Sequence, residues 1–231
     1  MKTAFILVEP AVAGNIGAAA RAIKVMGFTE LWLVNPANHL ANEARWLAHA
    51  STEILDNARI FDSLEEAAAE TDLLIATTAK ARNSNQDYIN ADNLQHFIKQ
   101  KENTVETLGI VFGREESGLN SDEMKLCDAA TTLNMATTYP SLNLSQAVML
   151  FAYLLSKNQQ TIPEKDEQAN EKGFRMMKEN VIRLLQDIGY NDTHPILQRM
   201  KERLSFLSGK DMNLIHSAVS KINKKLLKDR D

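Results

Sequence analysis

Apolar positions in this chain come in two rhythms. Thr3–Val8, Glu30–Val34, Asp72–Thr77 and Thr107–Phe112 are short, nearly continuous apolar runs, and Ala58–Phe61 and Ala130–Leu133 are shorter ones. Continuous runs of this length predict strands buried on both faces. Between them apolar residues recur every three or four positions. Ile16, Ala19, Ala20, Ile23 and Met26 mark a helix that Gly27 ends, and Glu43–Ala50, Leu64–Glu70, Ala91–Lys101 and Ser121–Cys127 mark others. Strands alternating with helices predict an α/β fold, a parallel sheet with helices on both faces. Ligands of such sheets sit beyond the carboxyl ends of the strands. Those ends are Glu9–Gly17, Thr77–Arg82, Gly113–Gly118 and Leu133–Asn143, each expected to be a loop.

The most apolar stretch is Tyr139–Leu155. A polar turn, Tyr139-Pro140-Ser141-Leu142-Asn143, leads into a helix whose residues from Ala147 to Leu155 carry no charge. A helix apolar all round is buried on more than one side. The sheet can cover one side; the other calls for a second domain or a second subunit, hence an expected homodimer. By itself the turn is a helix cap. With its hydroxyl, amide and free backbone groups it is also a place to hold a ligand.

Lys157–Ala169 (KNQQTIPEKDEQA) breaks the rhythm and reads as a linker. Helical patterns resume at 170–188, 195–207 and 211–227. We therefore expect a domain over 1–157, a linker over 158–168 and a helical extension over 169–231, too small to bury a large core alone. Charge follows the same division. Residues 1–160 hold 12 basic and 19 acidic side chains, and residues 161–231 hold 14 and 11. A basic end on an acidic body suits phosphate contacts, and equally an ordinary solvated helix face. One cysteine, Cys127, excludes an internal disulfide and suits a reducing compartment. The apolar run Ala4–Val8 is too short for a signal-peptide core, and no stretch approaches a membrane span, so a cytoplasmic protein is expected. The five histidines are scattered, and no metal site is expected.

Four segments could carry chemistry. Gly14-Asn15-Ile16-Gly17 opens a helix after the first strand, but it lacks the G-x-G-x-x-G of dinucleotide binding. No acidic residue closes the second strand either, which disfavours a nucleotide-binding oxidoreductase. Arg21 lies off the apolar stripe of that helix, as a solvated arginine or as a guanidinium for a phosphate or an oxyanion. Leu108–Asn120 (LGIVFGREESGLN) runs a strand into Gly113, then charges, then Gly118; Gly113 would admit a ligand to the backbone, and Asn120 with Glu123 forms a capping box. The turn 140–143 is the third segment. Thr77-Thr78-Ala79-Lys80-Ala81-Arg82, hydroxyls with two cations, is the fourth.

N-x-G-x-x-x-R-A at 15–22, F-G-x-E-x-x-G-L at 112–119 and S-L-N-L-S-x-A at 141–147 resemble, in order and spacing, the three motifs of the SPOUT RNA 2′-O-methyltransferases. The linker and helical tail resemble the branch that methylates nucleotide 32 of the tRNA anticodon loop. The resemblance implies an S-adenosylmethionine cofactor, a tRNA substrate, a homodimer and a trefoil knot in the C-terminal part of the α/β domain. It matches Arg21 to the arginine that handles the 2′-hydroxyl, and Asn15, Glu115, Ser141 and Asn143 to the polar residues around it. It matches Thr77, Thr78, Ala79, Gly113, Leu133, Pro140, Ser141 and Leu142 to segments that wrap the cofactor. Pro140 departs from the serine of the tRNA branch and removes a hydroxyl and an N–H from that edge. An RNA-binding module that keeps the fold without the chemistry is the remaining rival, and the intact polar set argues against it.

Overall fold

The structure, a computed structural model, describes residues 1–79, 88–101, 104–136, 142–156, 173–192, 194–207 and 209–228. Seven strands form one sheet: β1 (Lys2–Val8), β2 (Glu30–Val34), β3 (Arg59–Phe61), β4 (Leu73–Thr78), β5 (Tyr88–Asn90), β6 (Thr107–Phe112) and β7 (Ala129–Thr132). Every pairing is parallel, in the order β3-β2-β1-β6-β4-β7-β5. The sequence predicted the other six strands; β5 is an addition, in three residues before the helix at Ala91 that the apolar pattern assigns to no element.

Alternating side chains of the central strands feed two cores. Phe5 and Leu7 face one side with α1 (Ala13–Val25), α5 (Ala91–Lys99) and α7 (Leu144–Ser156). Ala4, Ile6 and Val8 face the other with α4 (Leu64–Ala69) and α6 (Ser121–Leu126). The parallel sheet with helices on both faces is therefore as the apolar runs implied. The remaining connection between β2 and β3 holds α2 (Asn42–Ala48), a short 3₁₀ turn and α3 (Thr52–Asp56).

Two local expectations need correction. The segment through Gly17 is not a loop, because α1 begins at Ala13. Its glycines serve packing. A Cβ on Gly17 would lie 2.0 Å from the Ala44 carbonyl oxygen, and one on Gly14 would lie 2.6 Å from Glu43 Oε1. Small residues let α1 and α2 approach, and no cradle for phosphates is built there. In α7, Phe151 is buried in the chain's own core, its ring edge-on to Phe112 at 5.7 Å. The outward apolar residues are Leu150 and Tyr153.

The helical tail is α8 (Gly173–Asp187), α9 (Pro195–Ser205) and α10 (Gly209–Lys228). It packs on the α/β body: Phe174, Met177, Val181, Leu204, Met212 and Val219 join the core on the α1–α5–α7 side. Polar contacts pin this seam. The Phe174 N–H donates to the Thr104 carbonyl at 3.4 Å, and Lys178 pairs with Asp128 at 2.7 Å. Asp128 also accepts from the Leu74 N–H at 2.9 Å, which ties α8 to β4. The Lys101 side chain is fully buried and donates from Nζ to the Leu207 carbonyl beneath the Phe97 and Phe174 rings. Burial pushes its pKa down to about 8, against the opposing pull of Asp128 and Asp211.

Candidate active site

β1 and β6 are neighbours at the centre of the sheet, and β4 follows β6, so the chain after β1, β4 and β6 emerges at one place on the carboxyl edge. A cavity of about 460 Å³ opens there, in the size range of a small-ligand site. Thr77, Thr78 and Ala79 line it from β4; Gly113 to Leu119 from the loop after β6; Leu133 and Met135 from beyond β7; and Leu142, Leu144, Ala147 and Phe151 from the start of α7. The expected cofactor residues Thr77, Thr78, Ala79, Gly113, Leu133 and Leu142 thus surround one space. Pro140 and Ser141 lie outside the described residues, as do Lys80–Arg82 and the linker.

Gly113 has a different physical reason from the one expected. A Cβ there would meet the Gly118 carbonyl carbon at 2.2 Å and the Leu119 nitrogen at 2.3 Å. The loop closes tightly on itself: the Arg114 N–H donates to the Gly118 carbonyl at 3.2 Å, and the Gly118 N–H returns a bond at 2.9 Å. Gly118 adopts φ of 68°, a conformation that suits glycine. Glycine at 113 is what lets the turn fold, and a ligand's approach to the backbone follows from that.

Arg114 fastens this turn. Its guanidinium donates to both carboxyl oxygens of Glu9, at 2.8 and 2.7 Å, and to both of Glu123, at 3.0 and 2.9 Å. These bonds drive the arginine further into its charged range, and the Arg114 hydrogen bond holds the Glu9 carboxyl below its usual range. Glu123 also completes the expected capping box with Asn120. The end of β1, the loop after β6 and the first turn of α6 are thereby one unit. Sequence reading missed this clamp. Its only signal was an arginine and a carboxylate at strand ends and a second carboxylate in a helix's first turn, with nothing to say which are neighbours.

A second network joins three of the expected polar residues. Asn143 Nδ2 donates to Asn15 Oδ1 at 2.8 Å, and Asn15 Nδ2 donates to Glu115 Oε1 at 3.1 Å. The Ala11 N–H donates to Glu115 Oε2 at 3.3 Å. Burial alone would raise the Glu115 carboxyl. The bonds from Asn15 and from the backbone of Glu115, Ala11 and Val12 outweigh it and hold the group below its usual range. Asn143 Oδ1 accepts from the Ser145 N–H at 2.9 Å and from the Ser145 hydroxyl at 2.7 Å, so it caps α7 as well. Glu115 is an ionised acceptor that orients the Asn15 side-chain amide and the Ala11 N–H. Arg21 stands apart. It is exposed on α1, outside the cavity wall, with no hydrogen bond or ion pair among the described residues.

Comparison with known proteins shows the family of the chain. Residues 2–153 match the SpoU rRNA Methylase family. The chain belongs to that family. This SpoU methylase also matches, over residues 171–226, the C-terminal domain of tRNA/rRNA methyltransferase LasT. It is 36% identical to the uncharacterized tRNA/rRNA methyltransferase LasT of Escherichia coli, over 99% of this chain and 100% of that one. It is also 36% identical to the tRNA (cytidine/uridine-2′-O-)-methyltransferase TrmJ of Citrobacter koseri, over 71% of this chain and 67% of that one. The crystal structure of TrmJ from Z. mobilis superposes with a TM-score of 0.67 at 28% identity, covering 96% of this chain and 100% of that one. Among the described residues no group of three or more His, Cys, Asp or Glu side chains could hold a metal, and no helix is long and apolar enough to cross a membrane.

Proposed function

We propose that this SpoU methylase transfers a methyl group from S-adenosylmethionine to the ribose 2′-hydroxyl of tRNA, at nucleotide 32, cytidine or uridine, of the anticodon loop. The observation that carries the reading is the convergence of four separate segments, 77–79, 112–119, 133–135 and 142–151, two of them holding the second and third motifs, on one cavity at the carboxyl edge. The residues fit the cofactor. Leu119, Leu133, Leu142 and Phe151 offer apolar surface, and the turn at Gly113–Gly118 brings backbone close. When bound, S-adenosylmethionine supplies the electrophilic methyl group. The chain supplies alignment, worth about 7–11 kcal/mol when complete, and help for a hydroxyl that is a poor acid. Asn15, held by Glu115, and Asn143, held by Asn15, are the fixed amides of the substrate side. Ser141 belongs with them, and Pro140 with the cofactor turn. Arg21 handles the 2′-hydroxyl, as a base if the site neutralises it, or as a cation facing the forming alkoxide while a nearby phosphate or Glu115 takes the proton. Arg21→Ala should fold and bind S-adenosylhomocysteine, yet lose about 100- to 10,000-fold in single-turnover methylation. A wild-type rate would remove Arg21 from the mechanism.

The assembly in this reading is a cytoplasmic homodimer. Leu150 and Tyr153, the outward apolar residues of α7, support a second copy there. Leu150→Asp with Tyr153→Asp should convert dimer to folded monomer in light scattering, and a monomeric wild type would refute it. The knot accompanies this reading; the β7–α7 connection passes through residues 137–141, outside the described residues. The division at 157–169 makes the tail an RNA-affinity element. Truncation after Lys157 should flatten the salt dependence of tRNA binding.

One observation favours a second target, another tRNA or rRNA ribose. The tail matches the LasT C-terminal domain, whereas the Citrobacter TrmJ alignment covers only 71% of this chain. Incubation with labelled S-adenosylmethionine and total RNA, followed by nucleotide mapping, separates the two. Methyl on nucleotide 32 supports the first, methyl elsewhere the second, and none refutes both.

A further inference from the structure

The cavity wall carries charge of one sign to spare. Its charged side chains among the described residues are Arg114, Glu115 and Glu116. Arg114 spends its guanidinium on Glu9 and Glu123, so that trio is formally negative by one. Glu115 is ionised and committed to Asn15 and the Ala11 N–H. Glu116 is exposed on the wall and has no hydrogen bond or ion pair among the described residues. These five side chains sum to a formal charge of −3, and no other cation among the described wall residues balances them. Leu119, Leu133 and Phe151 supply a low-polarity backing, which lets a fixed charge act further than it would in open water.

We propose that Glu116 is a specificity-determining residue: its carboxylate makes the cavity prefer a ligand with a positive sulfur over the same ligand with a neutral one. This rests on the methyl-donor reading above and deepens it. In that reaction the methyl carbon–sulfur bond breaks and its electron pair stays on sulfur. The methyl forms a bond to the ribose oxygen, whose proton passes to the base of the site and from it to solvent. The cofactor therefore loses one positive charge during turnover. An acidic wall holds the donor more tightly than the product, and turnover itself loosens the grip. Glu115 cannot be varied to test this, because it also orients Asn15. Glu116 can, because nothing in the fold depends on it.

The test is calorimetric titration of the full chain and its Glu116→Gln and Glu116→Lys variants with S-adenosylmethionine and with S-adenosylhomocysteine, at low and high salt. Thermal unfolding serves as the folding control. For an exposed charge the expected loss of S-adenosylmethionine affinity is about threefold for Gln and about tenfold for Lys at low salt. S-adenosylhomocysteine affinity should change by less than about 1.5-fold, and both differences should shrink at high salt. Equal changes for the two ligands would mean that Glu116 acts by shape, and no change for either would mean a solvated side chain; each overturns the proposal. If neither ligand binds the wild type, the methyl-donor reading itself fails, a result distinguishable from the other two.

Discussion

The carboxyl edge of the sheet and the seam beneath α8–α10 both gather charge, but in different surroundings. At the edge, Arg114, Glu9 and Glu123 keep side-chain exposures of 25%, 43% and 12%. Water screens Glu9 and part of Arg114, and Glu123, the most covered of the three, also accepts from the Asn120 N–H. At the seam, Lys101 is fully buried, and Lys178 and Asp128 keep only 18% and 8%. There each charge depends on a particular partner, and removing one leaves the other in a poor solvent. The edge can change its occupants. The seam fixes one docking of the tail and penalises alternatives.

The largest expected effect falls on the edge, and it comes from backbone rather than charge. Gly113→Val puts a branched side chain against the Gly118 carbonyl carbon, 2.2 Å from the Cβ position. A loss above about 3 kcal/mol in denaturant unfolding is expected. A stable variant that merely fails to bind cofactor would restore the simpler reading, in which glycine only leaves room.

At the seam, Lys178→Met should cost about 2–4 kcal/mol, because it removes a nearly buried partner of Asp128. The seam should also respond to pH. Lys101 has a folded pKa of about 8, against about 10.4 in an unfolded chain. Between these values the unfolded chain binds more protons, so stability rises with pH across the window. The stability of wild type relative to Lys101→Met should therefore climb by up to about 3 kcal/mol between pH 8 and 10.4. A flat difference would mean that Lys101 is hydrated. The smallest effect belongs to the edge. Arg114→Ala should cost about 1–2 kcal/mol, because Glu9 reaches water and Glu123 keeps the Asn120 N–H as a donor. If Arg114→Ala costs more than Lys178→Met, the contrast between the two regions is wrong.

Much of the fold was legible because parallel strands inside an α/β sheet are apolar on both faces and read as continuous runs. Tyr88–Asn90 was not, because three residues at a sheet edge give no run to see. Glycine misled at Gly14 and Gly17, where spacing cannot distinguish a ligand loop from close helix packing. The caps at Asn120 and Gly27 were readable because their partners lie within a few residues. The site was readable in its motifs and silent in its wiring. Arg114 meets Glu9 across 105 positions, and Asn143 meets Asn15 across 128. Both distances depend on strand order, which no local pattern records. Trp46 stood among the apolar positions of its helix, yet it is 83% exposed.

The place of β6 has a consequence for how the chain is made. β1, the first strand of the sheet in chain order, has β6 as one of its two neighbours, and β6 also separates β1 from β4. Until Thr107–Phe112 leaves the ribosome, β1 and β4 each keep an unpaired edge. At roughly 5–20 residues per second that interval lasts on the order of ten seconds. β4 waits about a third as long, and while β6 is missing both apolar strands offer free backbone groups, the kind of exposed edge that invites wrong pairing in a nascent chain.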